Sequence, residues 1–156
     1  MWQRFSEQAR RAVFSAQEEA GKLGEYLVST EHILLGLIRD PGSDASLVLE
    51  RLGASLESVR TEVERIVPHR DSAPTQEMQL TQSAKMVIDL AYDESRELKA
   101  RYVGTEHLLL GLIRQGEGIA GKVLNQFNIG IDRVRTEVTA LVETDEKRGD
   151  EESKQI

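Results

Sequence analysis

An ungapped internal repeat is the feature that most constrains how this chain can fold. Residues 30–39 read Thr-Glu-His-Ile-Leu-Leu-Gly-Leu-Ile-Arg, and residues 105–114 repeat the block with one change, Leu108 in place of Ile33. The same offset of 75 residues aligns 59–63 with 134–138. Because the alignment needs no gap, the sequence predicts two copies of one structural unit with the same packing in both.

Each copy has the apolar periodicity of four helices. The first helices follow the capping residues Ser6 and Thr81 and carry apolar side chains at helical spacing. The second helices begin near Thr30 and Thr105 and are apolar on nearly every side, which is typical of a helix at the centre of a unit. The third and fourth helices are predicted at 43–52 and 55–67 in one copy, and near 117–127 and 131–142 in the other.

The predicted fold class is therefore all-α, with two tandem four-helix repeats (eight helices) packed as a pseudo-two-fold bundle. Gly36 and Gly111 lie inside the central helices, where glycine costs about 1 kcal/mol relative to alanine, so we expect close helix crossings there. Along the chain we expect a first repeat at 1–67, a linker at 68–79, a second repeat at 80–142 and a disordered charged tail at 143–156.

Composition excludes several classes of protein. The chain has no cysteine, which removes disulfide frameworks, thiolate zinc sites and cysteine nucleophiles. A formal charge of −7, spread along the sequence, argues against nucleic acid as a partner. No window approaches the roughly 18 apolar residues of a membrane span, and the first residues lack a signal-peptide pattern. We therefore expect a cytoplasmic protein with no membrane partner.

No residue pattern indicates catalysis. His32 and His107 lack the ligand spacing of a metal site and are interpreted as buried or capping side chains. Residues 116–123 nearly spell a phosphate-binding P-loop, but Val123 supplies no hydroxyl for magnesium, and the preceding block predicts a helix where the motif requires a strand. We interpret this segment as a helix–turn–helix connection, and expect no catalytic residue, no metal, no cofactor and no ATP binding.

The doubled Thr-Glu-His block, its offset and the opening Arg-Phe-Ser-Glu-Gln-Ala at 4–9 resemble the Clp repeat domain at the N-terminus of ClpC/ClpA-type AAA+ protein unfoldases. The resemblance covers about residues 1–142. It implies a non-enzymatic domain that binds Clp adaptor proteins and, in the ClpC branch, substrate proteins carrying phosphoarginine. The ATPase portion of a Clp unfoldase is a further expected partner. The alternative is a structural or regulatory relative that has lost phosphoarginine binding and only tunes assembly.

Given that resemblance, the candidate phosphoarginine-binding residues are Thr30 and Glu31 in the first copy, and Gly104, Thr105 and Glu106 in the second. Phosphoarginine presents guanidinium N–H donors beside a phosphoryl anion, so it needs an acceptor carboxylate next to the free N–H groups of a helix start. The simpler alternative is that each carboxylate only complements the positive end of its helix dipole.

We expect the site around Glu106 to be the stronger of the two. Gly104 lets the backbone approach a phosphoryl group closely and tolerates positive φ, whereas Ser29 adds a β-carbon at the equivalent place. Asp40 and Asp44 flank the start of the first copy's third helix. If that start lies near the first site, these carboxylates repel a phosphoryl anion there.

Overall fold

A computed structural model describes residues 2–68 and 79–141 as an all-helical protein. The helices are α1 (Glu7–Lys22), α2 (Thr30–Ile38), α3 (Asp44–Arg51), α4 (Leu56–Ile66), α5 (Gln82–Glu97), α6 (Thr105–Gln115), α7 (Ile119–Gln126) and α8 (131–141). The described segments contain no β-strand, and none of their helices is long and apolar enough to cross a membrane. The predicted fold class is confirmed, with four helices in each repeat.

The helices begin where the sequence supplies acceptors for unpaired N–H groups. The hydroxyls of Ser6 and Thr81 each accept an N–H bond of 3.1 Å from the residue three positions later, at the starts of α1 and α5. Ser43 and Ser55 cap α3 and α4 in the same way. Gly53, with φ of 89°, lies in the left-handed conformation just after α3.

The central helices α2 and α6 are buried over most of their length, and each crosses the first helix of its own repeat. A Cβ added at Gly36 would lie 2.3 Å from the carbonyl oxygen of Ala12, and one added at Gly111 would lie 2.5 Å from that of Val87. These neighbours are backbone atoms, which have no rotamer to move into. The predicted close crossings are confirmed in both repeats.

The two repeats share one core because each packs onto the central helix of the other. α3 of the first repeat packs against α6, and α7 of the second repeat packs against α2. Phe5 forms a parallel bridge with Val103, while Leu80 and Val28, their counterparts at the 75-residue offset, form the other. This exchange follows the pseudo-two-fold relation between the repeats, and it decides which helix start faces which carboxylate.

The predicted linker and tail cannot be compared with the structure. Of the linker at 68–79, only Pro68 and Gln79 belong to the described residues, and the tail at 143–156 lies wholly outside them. Both remain predictions.

Candidate functional site

The two candidate carboxylates occupy matching places, each at the second residue of a central helix. Glu31 in α2 and Glu106 in α6 have side chains that are only 11% and 14% exposed. The positive end of the helix favours a carboxylate in this position. Burial raises the pKa of Glu31, although hydrogen bonds from its own backbone N–H and from the Ser29 hydroxyl act in the opposite direction.

The two histidines cap the central helices from within. The backbone N–H of Ser29 donates to Nδ1 of His32 at 2.9 Å, and that of Gly104 donates to Nδ1 of His107 at the same distance. Burial lowers the pKa of both histidines to about 4, so the rings are neutral at neutral pH. The interpretation as buried capping histidines is confirmed. Because Nδ1 accepts an N–H bond in each ring, the nearby Glu106 carboxylate, 3.3 Å from Nδ1 of His107, does not form an ion pair with it.

The two candidate threonines connect the repeats. Thr105 Oγ1 accepts the N–H of Ala45 at 3.1 Å, in the first turn of α3, and Thr30 Oγ1 accepts that of Ala120 at 3.4 Å, in the first turn of α7. Both threonines are buried. Each carboxylate therefore lies beside two helix starts: its own, and one from the opposite repeat. This arrangement places a carboxylate acceptor beside the positive ends of two helices, which is the combination that an anionic guanidinium derivative requires.

The Glu106 site opens into a cavity of about 380 Å³, which we call the second-repeat cavity. Its lining includes Gly104 and Thr105, so the structure brings the three candidate residues of the second copy together. Its charged lining consists of two carboxylates, Glu106 and Asp44, and two cations, Lys99 and Arg101. The cavity is thus balanced in charge, with the cations supplied by the segment that joins α5 to α6.

The surroundings of Glu31 have a different charge. At the 75-residue offset, Lys99 and Arg101 correspond to Gly24 and Tyr26, and the residue between them is Glu25. Glu25 lies close enough to Glu31 to raise the pKa of that carboxyl further by repulsion. The same segment of the chain therefore adds a negative charge at the first site and two positive charges at the second.

Two premises about the ranking of the sites are wrong. Asp44 begins α3, which packs on α6, so it lies in the cavity with Glu106; Asp40 lines a separate cavity that also contains Thr105. The start of α3 thus lies at the second site, so the expected repulsion at the first site by the residues around that start is wrong. Gly104 has φ of −98°, close to the −113° of Ser29, so no positive φ distinguishes the copies. The space that a Cβ of Gly104 would fill is occupied by the Glu106 carboxylate, 1.7 Å away.

The glycine-rich segment at 116–123 is a turn between two helices. Gly116 ends α6 in the left-handed conformation and Gly118 begins α7, so the interpretation as a helix–turn–helix connection is confirmed. A Cβ on Gly121 would lie 2.6 Å from the carbonyl oxygen of Gly116. A Cβ on Gly118 would lie 2.4 Å from Thr30 Oγ1, so close packing explains both glycines without a phosphate.

Sequence reasoning missed two ion clusters, each formed around a buried glutamate in the first helix of a repeat. Glu19, 5% exposed, accepts two bonds from the Arg60 guanidinium, at 3.1 and 3.3 Å. Glu94, fully buried, accepts from Arg135 at 2.6 and 3.3 Å and from Arg114 at 3.4 Å. The repeat contained the signal, because the acid and the arginine both recur at the 75-residue offset.

Comparison with known proteins gives a match over most of the chain. The family model described as the Clp repeat N-terminal domain matches residues 4–127 and 79–156. The ClpB chaperone of Oceanobacillus iheyensis is 42% identical over 148 residues, which is 95% of this chain and 18% of that protein. The negative regulator of genetic competence ClpC/MecB of Bacillus subtilis is 44% identical over 146 residues, 94% of this chain and 18% of its own length. The chain thus spans less than a fifth of the relatives that it matches.

Solved structures give the same result for the fold. The N-terminal domain of ClpD from Arabidopsis thaliana has a TM-score of 0.70 and 30% identity, covering 92% of this chain and 97% of that one. A complex of the ClpV N-domain with a VipB peptide has a TM-score of 0.69 at 20% identity, covering 83% and 80%. At that identity the second likeness shows the fold alone.

Proposed function

Since the chain belongs to the Clp repeat N-terminal domain family, we propose that it is a non-enzymatic recognition domain for a Clp ATP-dependent unfoldase. In this role it binds adaptor proteins, substrate proteins marked with phosphoarginine, or both. The observation that carries the phosphoarginine part is the second-repeat cavity, where the Glu106 carboxylate, two cations and the starts of α3 and α6 lie together. The ClpV N-domain, which shares the fold, has been solved with a VipB peptide, and this supports the protein-binding part.

The cavity matches both halves of phosphoarginine. The guanidinium N–H groups need a carboxylate acceptor, and Glu106 supplies it beside the start of α6. The phosphoryl group needs cations or the positive end of a helix, and the second-repeat cavity has both. Its volume of about 380 Å³ lies within the range of small-ligand pockets, which is about 300–1,000 Å³. One amino-acid side chain with a phosphoryl group is a ligand of suitable size.

Calorimetric titration of the chain with free phosphoarginine tests this proposal. We expect saturable binding to the wild type, and at least tenfold weaker binding of free arginine and of inorganic phosphate, because each lacks half of the contacts. The double variant Glu31→Ala with Glu106→Ala should lose phosphoarginine binding while keeping its helical circular dichroism. An absence of binding by the folded wild type would instead favour a structural or regulatory Clp-repeat protein that only tunes assembly.

A further inference from the structure

The segments that lead into α2 and α6 have the same backbone but different side chains. After α1, the left-handed position is Gly24, with φ of 79°; after α5, it is Lys99, with φ of 57°. The hydrogen bonds that close the two turns also correspond: the N–H of Glu25 donates to Ala20 at 2.9 Å, and that of Ala100 donates to Ser95 at 2.8 Å. The second repeat therefore keeps the turn but has a lysine where glycine fits better.

A lysine at this place is unfavourable for the local backbone. The left-handed region is uncommon for residues with a β-carbon, and glycine adopts it without a steric penalty. A cation near the end of α5 does complement the helix dipole, but many other positions in the last turn would serve that purpose. Lys99 lines the second-repeat cavity, so this unfavourable position adds a positive charge to the lining of that site.

Charge in the second-repeat cavity depends on this segment. Glu106 and Asp44 would repel an incoming phosphoryl group by themselves. Lys99 and Arg101 offset both carboxylates, and Arg101 has the planar donor fork that suits a phosphoryl group. The corresponding segment of the first repeat supplies no such compensation, because Gly24 and Tyr26 carry no charge and Glu25 adds a carboxylate beside Glu31.

We propose that Lys99 and Arg101 are the phosphoryl-binding residues of the second-repeat cavity, and that they make it the phosphoarginine-selective site of this chain. This inference rests on the function proposed above. Glu106 then recognises the guanidinium, while Lys99 and Arg101 distinguish phosphoarginine from arginine. The first repeat keeps the guanidinium acceptor, Glu31, but lacks the residues that select for the phosphoryl group.

Substitution of the two cations tests the assignment by calorimetry with two ligands. In a Glu31→Ala background, Arg101→Gln should weaken phosphoarginine binding about tenfold and Lys99→Gly about fivefold. Neither change should weaken binding of unmodified arginine, because each removes a charge that repels it. Lys99→Gly should also leave the melting temperature unchanged or raised, since it restores glycine to a left-handed position. The matched control is Arg133→Gln. Arg133 lies near the start of α8, whereas Leu141, which lines the cavity, lies at the other end.

A transplant of the segment tests the same assignment in the opposite direction. In a Glu106→Ala background, the pair Glu25→Ala and Tyr26→Arg gives the first repeat the residues of the second at those places, and should tighten phosphoarginine binding about tenfold. Unchanged phosphoarginine affinity in both Arg101→Gln and Lys99→Gly, with binding intact in the wild type, would overturn the assignment but not the proposed function. A wild type that binds no phosphoarginine would overturn both. A loss for arginine equal to that for phosphoarginine would assign the cations a merely structural role.

Discussion

In the first repeat, Glu31 is flanked by a second carboxylate, Glu25, and by the Ser29 hydroxyl; in the second, Glu106 shares its cavity with Lys99 and Arg101. The helices that hold these side chains correspond closely, down to the histidine caps and the glycine crossings. The segment before the central helix is one of the places where the two copies differ in charge. The comparison teaches that one arrangement of helices can present a site with two carboxylates and a site whose charges are balanced.

The equivalence of the helix packing in the two repeats can be tested at the helix crossings. Gly36→Leu and Gly111→Leu should each destabilise the fold by about 3 kcal/mol or more, because the added side chain meets backbone atoms. Urea unfolding followed by circular dichroism measures both losses. They should be similar, since the crossings are equivalent, and an unchanged melting temperature in either variant would contradict the equivalence.

Removing one arginine from each ion cluster should lower the free energy of unfolding by different amounts in the two repeats. Arg60→Met leaves Glu19 buried without its guanidinium and should cost about 2 kcal/mol, after a reduction for the partial exposure of Arg60. Arg135→Met should cost less, about 1 kcal/mol, because Glu94 keeps Arg114. The counterpart of Arg114 in the first repeat, Arg39, pairs with Glu18 instead. Equal losses in the two variants would show that Arg114 contributes nothing.

Acid should destabilise both repeats through the histidine caps. The folded pKa values of His32 and His107, about 4, lie below the ordinary 6.5, so the unfolded state binds more protons between these values. The free energy of unfolding therefore falls as pH drops from about 6.5 to 4, by at most about 3 kcal/mol per histidine. The raised pKa of Glu31 acts in the opposite sense at the acid end.

Variants with glutamine separate the two caps. His32→Gln and His107→Gln keep an acceptor for the N-cap N–H but cannot titrate, so each should remove about half of the slope between pH 6.5 and 4. Denaturant unfolding at several pH values measures the slope. A full slope in the double variant would mean that other groups carry the acid sensitivity.

The smallest expected effect concerns the remaining acid in the second-repeat cavity. Asp44→Asn removes a charge that opposes the phosphoryl group, and should tighten phosphoarginine binding about two- to threefold in a Glu31→Ala background. Ile119, the counterpart of Asp44, begins α7 beside the first site, so no matching gain exists there. Weaker binding by Asp44→Asn would show that this carboxylate contacts the guanidinium instead.

The elements of the fold were predictable because their signals are local. Ser6 and Thr81 cap the helices that they were expected to cap, and Gly36 and Gly111 lie at the crossings that their place in a helix indicated. The surroundings of each site were not predictable in the same way. Asp44 follows α2 closely in sequence, but α3 packs across the pseudo-two-fold axis onto α6, so its charge belongs to the other repeat's site.

The cations of the second-repeat cavity were missed for a related reason. Lys99 and Arg101 belong to no motif, and they gain significance only once the structure places them around Glu106. A direct comparison of the copies in sequence already shows glycine and tyrosine at the equivalent positions, Gly24 and Tyr26. Differences in charge between the two copies therefore indicate where their sites differ.

The most direct test of the difference between the sites is calorimetric titration of Glu31→Ala and Glu106→Ala with free phosphoarginine. Each variant leaves one site intact, so the two dissociation constants report the sites separately. Loss of a charge-assisted hydrogen bond corresponds to about tenfold or more in affinity. We predict that Glu106→Ala, which retains only the site beside Glu25, binds phosphoarginine at least tenfold more weakly than Glu31→Ala. Equal affinities, or weaker binding by Glu31→Ala, would contradict the assignment of the second repeat as the principal site.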